Sequence, residues 1–206
     1  SAYRRFHSTE TVITKVVSDM LMAADNGNVS VLALLDLSAA FDTVDHTILL
    51  QRLQTSHHIA GSALEWFESY LTGRQQSVMY AGVSAPPTVL AHGVPQGSVL
   101  GPLLFIMYTA DIPLIVNEHG LRCLCYADDT QLYFHLKPDN TPVAKVMVEG
   151  CIEHVHKWLA SNRLRLNPEK TEVMWCSSVR RADTFDHPTL SIGQSVIQPA
   201  SVVRDL

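Results

Sequence analysis

Apolar residues recur along the chain at two spacings, and these spacings predict its helices and strands. After Ser8, a candidate helix N-cap, apolar residues follow at intervals of three and four positions, as in a helix packed along one side. Shorter and denser apolar runs predict strands. The predicted helices cover residues 9–25, 44–54, 63–71, 98–116 and 142–161. The predicted strands cover residues 29–35, 77–80, 88–91, 121–127, 130–136 and 172–176, with two short strands within 190–197.

This order of elements predicts an α+β domain in which helices pack on one face of a mostly antiparallel sheet. The 206 residues are 47% apolar and 17% charged, which provides a substantial core and excludes a disordered chain. The longest apolar run, around residues 99–108, is interrupted by Gly101 and Pro102 and is too short to span a bilayer. We therefore expect no membrane association.

The net charge of −5 counts against nucleic-acid binding, since proteins of that class usually carry a basic surplus. Acidic catalytic residues and basic segments outside this sequence would account for the difference. The four cysteines include no CxxC pair, so neither a disulfide framework nor a zinc site is expected. A reducing intracellular compartment fits this usage.

Three carboxylates stand at the ends of predicted strands. Asp36 ends the strand 29–35, which is apolar enough to be buried on both faces, and Asp128 and Asp129 form the turn between the strands 121–127 and 130–136. Taken singly, they have ordinary interpretations as a strand-end cap and a solvated turn. If the strands are neighbours, the three carboxylates converge and resemble a site for hard cations such as Mg²⁺. Two such cations would suit an in-line phosphoryl transfer.

A second group of candidates lies on loops beside predicted helices. Phe41 follows three small residues that would allow a ligand to approach closely, although core packing is its ordinary interpretation. Gly93, Pro95 and Gly97 predict a compact turn whose backbone can approach a ligand, with Gln96 projecting from it. Such a loop is weakly specific by itself.

The basic candidates are few. Lys170 follows an Asn-Pro turn directly before the strand 172–176, which holds it in place, although a surface lysine is the default interpretation. Arg4 and Arg5 could neutralise a phosphate or could be solvated arginines preceding a helix. Arg74 is expected to be a surface residue.

Four segments, in this order, resemble the A, B, C and D motifs of reverse transcriptases. They are LLDLSAAFD at 34–42, GVPQGS at 93–98, YADD at 126–129 and NPEKT at 167–171. Their details resemble those of non-LTR (LINE-type, jockey-like) retrotransposons. Residues 1–9 resemble the fingers motif just upstream, and 205–206 resemble the opening of the primer grip. The resemblance covers nearly the whole chain, and four motifs in the right order are far more specific than any one of them.

The resemblance implies a right-hand polymerase palm that adds dNTPs to a primer 3′-hydroxyl. Asp36 and Asp128 would bind metal, with Asp129 as the third and less direct carboxylate. The backbone of Leu37 would help hold the metal that arrives with the triphosphate. Two Mg²⁺ ions are implied, for which Mn²⁺ can substitute. Lys170 would be the general acid that protonates the pyrophosphate leaving group.

The resemblance also implies contacts with the incoming nucleotide. Phe41 would be the sugar gate, because its ring would lie under C2′ and clash with a 2′-hydroxyl. Gln96 and Gly97 would contact the nucleotide and the template base. Arg4 or Arg5 would reach the triphosphate.

The implied partners are an RNA template, a DNA primer and dNTPs. Residues 1–206 would form one reverse transcriptase domain fragment, the palm with part of the fingers. Roughly 1–28 and 52–92 would be fingers-side or connecting segments. A thumb and an endonuclease would lie elsewhere in a larger element-encoded protein. That protein would act inside the cell, and the sequence does not decide between nucleus and cytoplasm.

Three alternatives remain open on the sequence alone. An RNA-templated RNA polymerase would share the palm and the paired aspartates, but such enzymes usually place a polar residue where Phe41 stands. A catalytically inactive, captured element fragment would serve as a nucleic-acid-binding or structural module. A soluble α+β domain with solvated aspartate turns is the third alternative.

Overall fold

A computed structural model describes residues 8–178, 187–193 and 195–202. The candidates Arg4 and Arg5 and the segment 205–206 lie outside the described residues. The helices are α1 (Thr9–Asp25), α2 (His46–Thr55), α3 (Ser62–Leu71), α4 (Leu100–Tyr108), α5 (Ile112–Glu118) and α6 (Thr141–Ser161), the last preceded by a 3₁₀ turn (Pro138–Asn140). The strands are β1 (Val29–Leu35), β2 (Gln75–Gln76), β3 (Met79–Tyr80), β4 (Val83–Ser84), β5 (Thr88–Val89), β6 (Arg122–Tyr126), β7 (Asp129–Leu136), β8 (Glu172–Cys176), β9 (Leu190–Ile192) and β10 (Ser195–Ile197).

The described residues fall into two compact units. The first is drawn from the segments Ser1–Ser38, Ala110–Ser161 and Arg165–Leu206. The second comprises Ala39–Thr109 with Asn162–Leu164. Helix α1, part of a predicted fingers-side segment, belongs to the same unit as the large sheet.

The first unit is built on a four-stranded antiparallel sheet with the order β6-β7-β1-β8. All seven residues of the central strand β1 are buried, as its unbroken apolar run predicts. Strands β9 and β10 form a separate hairpin against α6, where the Ser191 backbone N–H donates to a Glu149 carboxylate oxygen over 2.6 Å. The predicted bounds of β8 are confirmed.

Helix α1 covers one face of the sheet. Its Ser8 cap is confirmed, since the Ser8 hydroxyl accepts from the Thr11 backbone N–H over 3.2 Å. Val16 packs on Leu32 and Leu34 of the sheet. On the opposite face of β1, Val31, Ala33 and Leu35 are also buried. This strand is therefore covered on both sides.

A polar cluster joins α1 to the sheet. The Asp19 carboxylate, 9% exposed, accepts from Lys15 (2.5 Å), Arg122 (2.7 Å) and the Tyr133 hydroxyl (2.8 Å). The Lys15 hydrogen bond is the largest influence lowering the pKa of Asp19, and partial burial opposes it. This arrangement is the usual way in which a buried carboxylate stays charged.

The second unit contains α2, α3 and α4 with two small ladders, and it corrects one prediction. Strands were expected at 77–80 and 88–91, but the chain forms four two-residue strands, paired as β2 with β5 and β3 with β4. All eight of these residues are exposed, so no buried face imposes a regular strand period.

The helix predicted over 98–116 is in fact two helices. Helix α4 ends at Tyr108 and α5 begins at Ile112. Pro113 explains the break, since its ring clashes with the carbonyl four residues earlier and it has no N–H to donate. The N-cap is Val99 rather than the predicted Ser98, although the Ser98 hydroxyl accepts from the Gly101 backbone N–H over 2.9 Å.

Leu100–Glu118, which comprises α4, α5 and the break between them, is the single stretch of the described residues that is long and apolar enough to cross a membrane, with 19 residues and a mean hydropathy of 1.5. Core helices of soluble proteins meet the same criterion, and 39% of this stretch is buried inside the protein. The stretch is therefore weak support for a membrane segment.

Candidate active site

Asp36 stands immediately after β1, at the end of the most buried strand. Its side chain is half-buried. Its carbonyl accepts from the Asn167 backbone N–H over 2.9 Å, and Ser38 donates its N–H to the Arg165 carbonyl over 2.9 Å. Residues 165–167, which lead into the segment that resembles motif D, therefore run antiparallel to residues 36–38 of the segment that resembles motif A.

These two hydrogen bonds flank an isolated bridge between Leu37 and Leu166. Because the neighbours of Leu37 make the ladder bonds, the Leu37 carbonyl lies outside the ladder. That position is compatible with the predicted backbone contact to a metal, which stays a prediction. The Leu37 side chain is buried.

Asp128 and Asp129 occupy different positions in the predicted hairpin. Tyr126 of β6 pairs with Asp129 of β7, so the connecting turn consists of Ala127 and Asp128. Ala127 has φ of 55°, a left-handed conformation that costs roughly 1 kcal/mol or more in a residue other than glycine. Asp128 thus lies in a strained turn, whereas Asp129 begins a strand.

One cleft gathers several of the candidate residues in the first unit. The last pair of the β1–β7 ladder is Leu35 with Thr130, so Asp36 and Asp129 occupy the next position on their neighbouring strands. Both line a cleft of about 510 Å³, and Lys170 lines it as well. Asp128 is not among its lining residues. The full lining is Leu34, Leu35, Asp36, Asp129, Thr130, Gln131, Glu169, Lys170 and Glu172.

Lys170 is held by a tight turn, as the sequence predicts. The Asn167 side-chain oxygen accepts from the Glu169 N–H over 3.2 Å, and the Asn167 carbonyl accepts from both the N–H (3.0 Å) and the hydroxyl (2.7 Å) of Thr171. Lys170 itself is exposed at the rim of the cleft. The turn therefore fixes its backbone, while its side chain is exposed.

The cleft has the chemistry of a hard-cation site. Its polar lining consists mostly of carboxylate and amide oxygens, which Mg²⁺ prefers, and Mg²⁺ commonly uses one or two carboxylates together with substrate phosphates. Within the described ranges, no group of three or more His, Cys, Asp or Glu side chains lies close enough to form a metal site. Asp36 and Asp129 thus fit a cation that substrate would help to hold, and the predicted three-carboxylate set stays a prediction.

Phe41 belongs to the second unit. Its ring packs on Phe105 with centroids 4.8 Å apart, and its carbonyl accepts from the Val94 N–H over 2.8 Å. The side chain remains half-buried. Core packing, the ordinary interpretation of Phe41, therefore applies to the side of the ring that contacts Phe105.

The backbone of Gly93 lies closely against the backbone of Asp42, which the sequence does not indicate. Gly93 has φ of 85°, and a Cβ there would lie 2.9 Å from the Asp42 carbonyl oxygen. The space beside Gly93 is filled by the chain itself, so packing against Asp42 explains this glycine; the approach of the turn's backbone to a ligand stays a prediction. The Gly93 carbonyl accepts from Arg74 and contacts His46 Nε2 at 2.8 Å, so Arg74 is not the surface residue that was expected.

Gln96 and Gly97 are exposed beside a second cleft, of about 560 Å³. Gln96 Nε2 donates to Asp42 Oδ1 over 3.0 Å, which orients its amide. Gly97 has φ of 77° and open space where a Cβ would lie. The cleft is lined by Asp42, Arg74, Gln76, Leu90, His92, Gly93, Val94, Pro95 and Gln96.

Sequence reasoning missed several residues of these sites. Gln131 and Glu172 line the first cleft because both are cross-strand partners of Leu34. Strand alternation offered a signal, since Gln131 lies two residues from Asp129 on the same face. Asp42 and Arg74 gave no such signal, because their partners are more than fifteen residues away.

Comparison with known proteins shows the family to which the chain belongs. The family model described as reverse transcriptase (RNA-dependent DNA polymerase) matches residues 1–186. The chain belongs to the reverse transcriptase family. Members of this family use divalent metal ions, in agreement with the oxygen-rich lining of the first cleft.

The relatives of this reverse transcriptase come from mobile elements. It is 29% identical over 203 residues to the probable RNA-directed DNA polymerase from transposon BS of Drosophila melanogaster, covering 96% of this chain and 22% of that protein. It is 29% identical over 202 residues to the RNA-directed DNA polymerase from mobile element jockey of the same species, covering 95% of this chain and 21% of that protein. The predicted resemblance to jockey-like elements is confirmed. This reverse transcriptase spans about a fifth of the length of these relatives.

Solved structures show the fold. Telomerase from Candida albicans, in complex with a fragment of telomeric RNA, aligns with a TM-score of 0.63 at 16% identity, covering 94% of this chain and 33% of that chain. Telomerase from Candida tropicalis gives 0.64 at 15% identity, covering 93% of this chain and 39% of that chain. The predicted polymerase fold class, an antiparallel sheet backed by helices, is confirmed.

Proposed function

We propose that this chain is the polymerase part of a retrotransposon protein and adds dNTPs to a primer 3′-hydroxyl on an RNA template. The observation that carries the proposal is the cleft that Asp36, Asp129 and Lys170 line at the end of the sheet, in a chain of the reverse transcriptase family. Carboxylates beside an ammonium group suit a reaction in which negative charge moves from an attacking oxygen to a leaving pyrophosphate.

The carboxylates would hold the divalent cations. Asp36 and Asp129 would do so from the cleft, and Asp128 from the turn beside it, with the Leu37 carbonyl as a further oxygen ligand. Two Mg²⁺ ions, or Mn²⁺ in their place, would stabilise the charge on the phosphoryl group being transferred. Lys170 would donate a proton to the departing pyrophosphate from its position on the tight turn.

Residues of the second unit would select the nucleotide. Phe41 would exclude a 2′-hydroxyl with the side of its ring that does not pack on Phe105. Gln96, oriented by Asp42, and the open Gly97 would contact the nucleotide and template base. Arg4 and Arg5 are proposed as triphosphate ligands on the sequence resemblance alone.

The partners would include more protein as well as nucleic acid. Because the chain spans about a fifth of its relatives, we propose that a thumb and an endonuclease lie in other parts of a longer polyprotein. Segments 52–92 and 1–28 would lie on the fingers side of the polymerase, and the protein would act inside the cell. An RNA template and DNA primer would be held mainly through phosphate contacts, so their binding should weaken with salt.

The test is Mg²⁺-dependent incorporation of dNTPs on a primed RNA template by the longest natural polypeptide that contains this chain. Asp36→Asn, Asp128→Asn and Asp129→Asn should each abolish or strongly reduce incorporation. Asp139→Asn, which alters an exposed aspartate in the 3₁₀ turn, is the matched control and should leave it unchanged. If the folded wild type binds template without incorporating dNTPs, the protein is a non-catalytic nucleic-acid-binding module.

A further inference from the structure

Gln131 is a buried polar residue that lines the first cleft. It is 5% exposed, and its side-chain oxygen Oε1 has no hydrogen-bond partner among the described residues. It nevertheless lines the cleft together with Asp36 and Asp129. An unsatisfied buried acceptor is destabilising, so a native protein that keeps one usually provides a partner in its working state.

The sheet register determines which groups Gln131 can reach. Asp129 lies two residues away on the same face of β7, which is ~7 Å along a strand. Asp36 lies diagonally across the ladder from it, at ~7–8 Å. Lys170 precedes β8, two strands away and thus ~10 Å or more from Gln131. Gln131 therefore faces the carboxylates rather than the lysine.

On the side away from the cleft, the nearest donors are already engaged, since the Tyr133 hydroxyl and the Arg122 guanidinium both donate to Asp19. The cross-strand neighbours of Gln131 on the two adjacent strands are Leu124 and Leu34. Leu34 belongs to the apolar cluster that contains Val16 and Tyr133, and Leu124 packs against that cluster. The side-chain amide thus lies between an apolar core and an oxygen-lined cleft. Its Oε1 is closed off from solvent in this conformation, so a donor from the cleft reaches it when the amide turns toward Asp36 and Asp129.

We infer that Gln131 Oε1 accepts a hydrogen bond from the hydration shell of the divalent cation held at Asp36 and Asp129, and so positions that cation. The inference rests on the proposed function. Mg²⁺ gives up its hydration water reluctantly and keeps several waters when few carboxylates bind it. Those waters need acceptors, and outer-shell acceptors typically change metal affinity or activity 10- to 100-fold. Gln131 is thus a positioning residue.

The experiment measures Mn²⁺ binding to the longest natural polypeptide that contains this chain, with primer and template, by the electron paramagnetic resonance signal of free Mn²⁺. Gln131→Leu, which removes the acceptor, should raise the Mn²⁺ dissociation constant roughly 10-fold. Gln131→Glu keeps an oxygen acceptor and should restore or tighten binding. Gln54→Leu, an exposed glutamine on α2, is the matched control and should bind as the wild type does.

A variant that does not fold is replaced by Gln131→Met, which conserves volume, and folding of each variant is checked by thermal unfolding. Equal Mn²⁺ affinity of wild type and the folded Leu or Met variant would overturn the inference. It would also be overturned if Gln131→Leu lowered dNTP incorporation in the wild-type background but not in a Lys170→Ala background, since Gln131 would then act through the lysine. If Asp36→Asn binds as much Mn²⁺ as the wild type does, no cation is held at Asp36. The proposed function then fails instead.

Discussion

The backbone carbonyl of Asp36 accepts a hydrogen bond from the backbone N–H of Asn167 over 2.9 Å. This bond joins the end of the central strand to the turn that carries Lys170. Asn167 also closes that turn with its side chain and its own carbonyl. The position of the lysine backbone relative to the aspartate is therefore set by backbone bonds, while the lysine side chain is exposed.

Lys170→Ala should lower the rate of nucleotide incorporation. A positioned general acid typically contributes 10²–10⁴-fold, and we expect a loss of about 100-fold in the single-turnover rate with little change in template binding. Lys170→Arg keeps the charge but releases a proton poorly, so it should restore a small part of the rate. The matched control is Lys157→Ala on the exposed side of α6, where Lys157 pairs with Glu153 in the same helix. A rate unchanged by Lys170→Ala would remove this residue from the mechanism.

The sequence predicts the local parts of this site well. The uninterrupted apolar run before Asp36 identifies a buried strand, and the apolar runs on either side of Asp128 and Asp129 identify a hairpin. The pattern cannot determine which aspartate faces the cleft, because that depends on a turn in which Ala127 takes a left-handed conformation. The pairing of Leu34 with Gln131 is likewise a long-range register, which a local pattern does not specify.

The second unit is less predictable for a related reason. The segment of Gln75 to Val89 is exposed and has weak periodicity, so its pairing follows from turns rather than from burial. The contact of Arg74 with the Gly93 carbonyl joins residues nineteen positions apart. Neither amphipathic pattern nor turn chemistry at one position contains that information.

Phe41→Val should weaken discrimination against ribonucleotides. A smaller side chain removes the clash expected with a 2′-hydroxyl, and we expect the ratio of dNTP to rNTP incorporation efficiency to fall roughly 10- to 100-fold. Phe41→Tyr keeps the ring and is the conservative comparison. Phe105→Leu is the structural control, because it loosens the packing of Phe41 without shortening it. An equal change of the ratio in Phe105→Leu and Phe41→Val would attribute the effect to packing rather than to a gate.

Gly93→Ala and Gly97→Ala form a matched pair for stability. Both glycines have positive φ, but only at Gly93 would the added Cβ meet backbone, 2.9 Å from the Asp42 carbonyl oxygen. We expect Gly97→Ala to lower the free energy of unfolding by about 1 kcal/mol and Gly93→Ala by about 3 kcal/mol. Urea unfolding of the two variants measures the difference. Equal losses would mean that the loop moves away from Asp42 at little cost.

Asp19→Asn should make stability less dependent on pH. The pKa of Asp19 is lowered in the folded state, chiefly by the hydrogen bond from Lys15, so its contribution is fully present above the usual carboxyl pKa. That contribution is lost as the pH falls through the lower pKa of the folded state. At pH 7 the substitution removes a charged group that accepts hydrogen bonds from Lys15, Arg122 and Tyr133. We expect the free energy of unfolding to fall by only about 1–2 kcal/mol, because the two cations are more than half exposed.

The measurement for this carboxylate is urea unfolding of the wild type and Asp19→Asn at a series of pH values from 7 down to the acid transition. The difference in unfolding free energy should shrink as the pH falls below the ordinary aspartate range. Asp25→Asn, at the exposed C-terminal end of the same helix, is the control and should run parallel to the wild type. A difference between wild type and Asp19→Asn that stays constant with pH would mean that packing of the side chain, rather than its charge, stabilises the contact of α1 with the sheet.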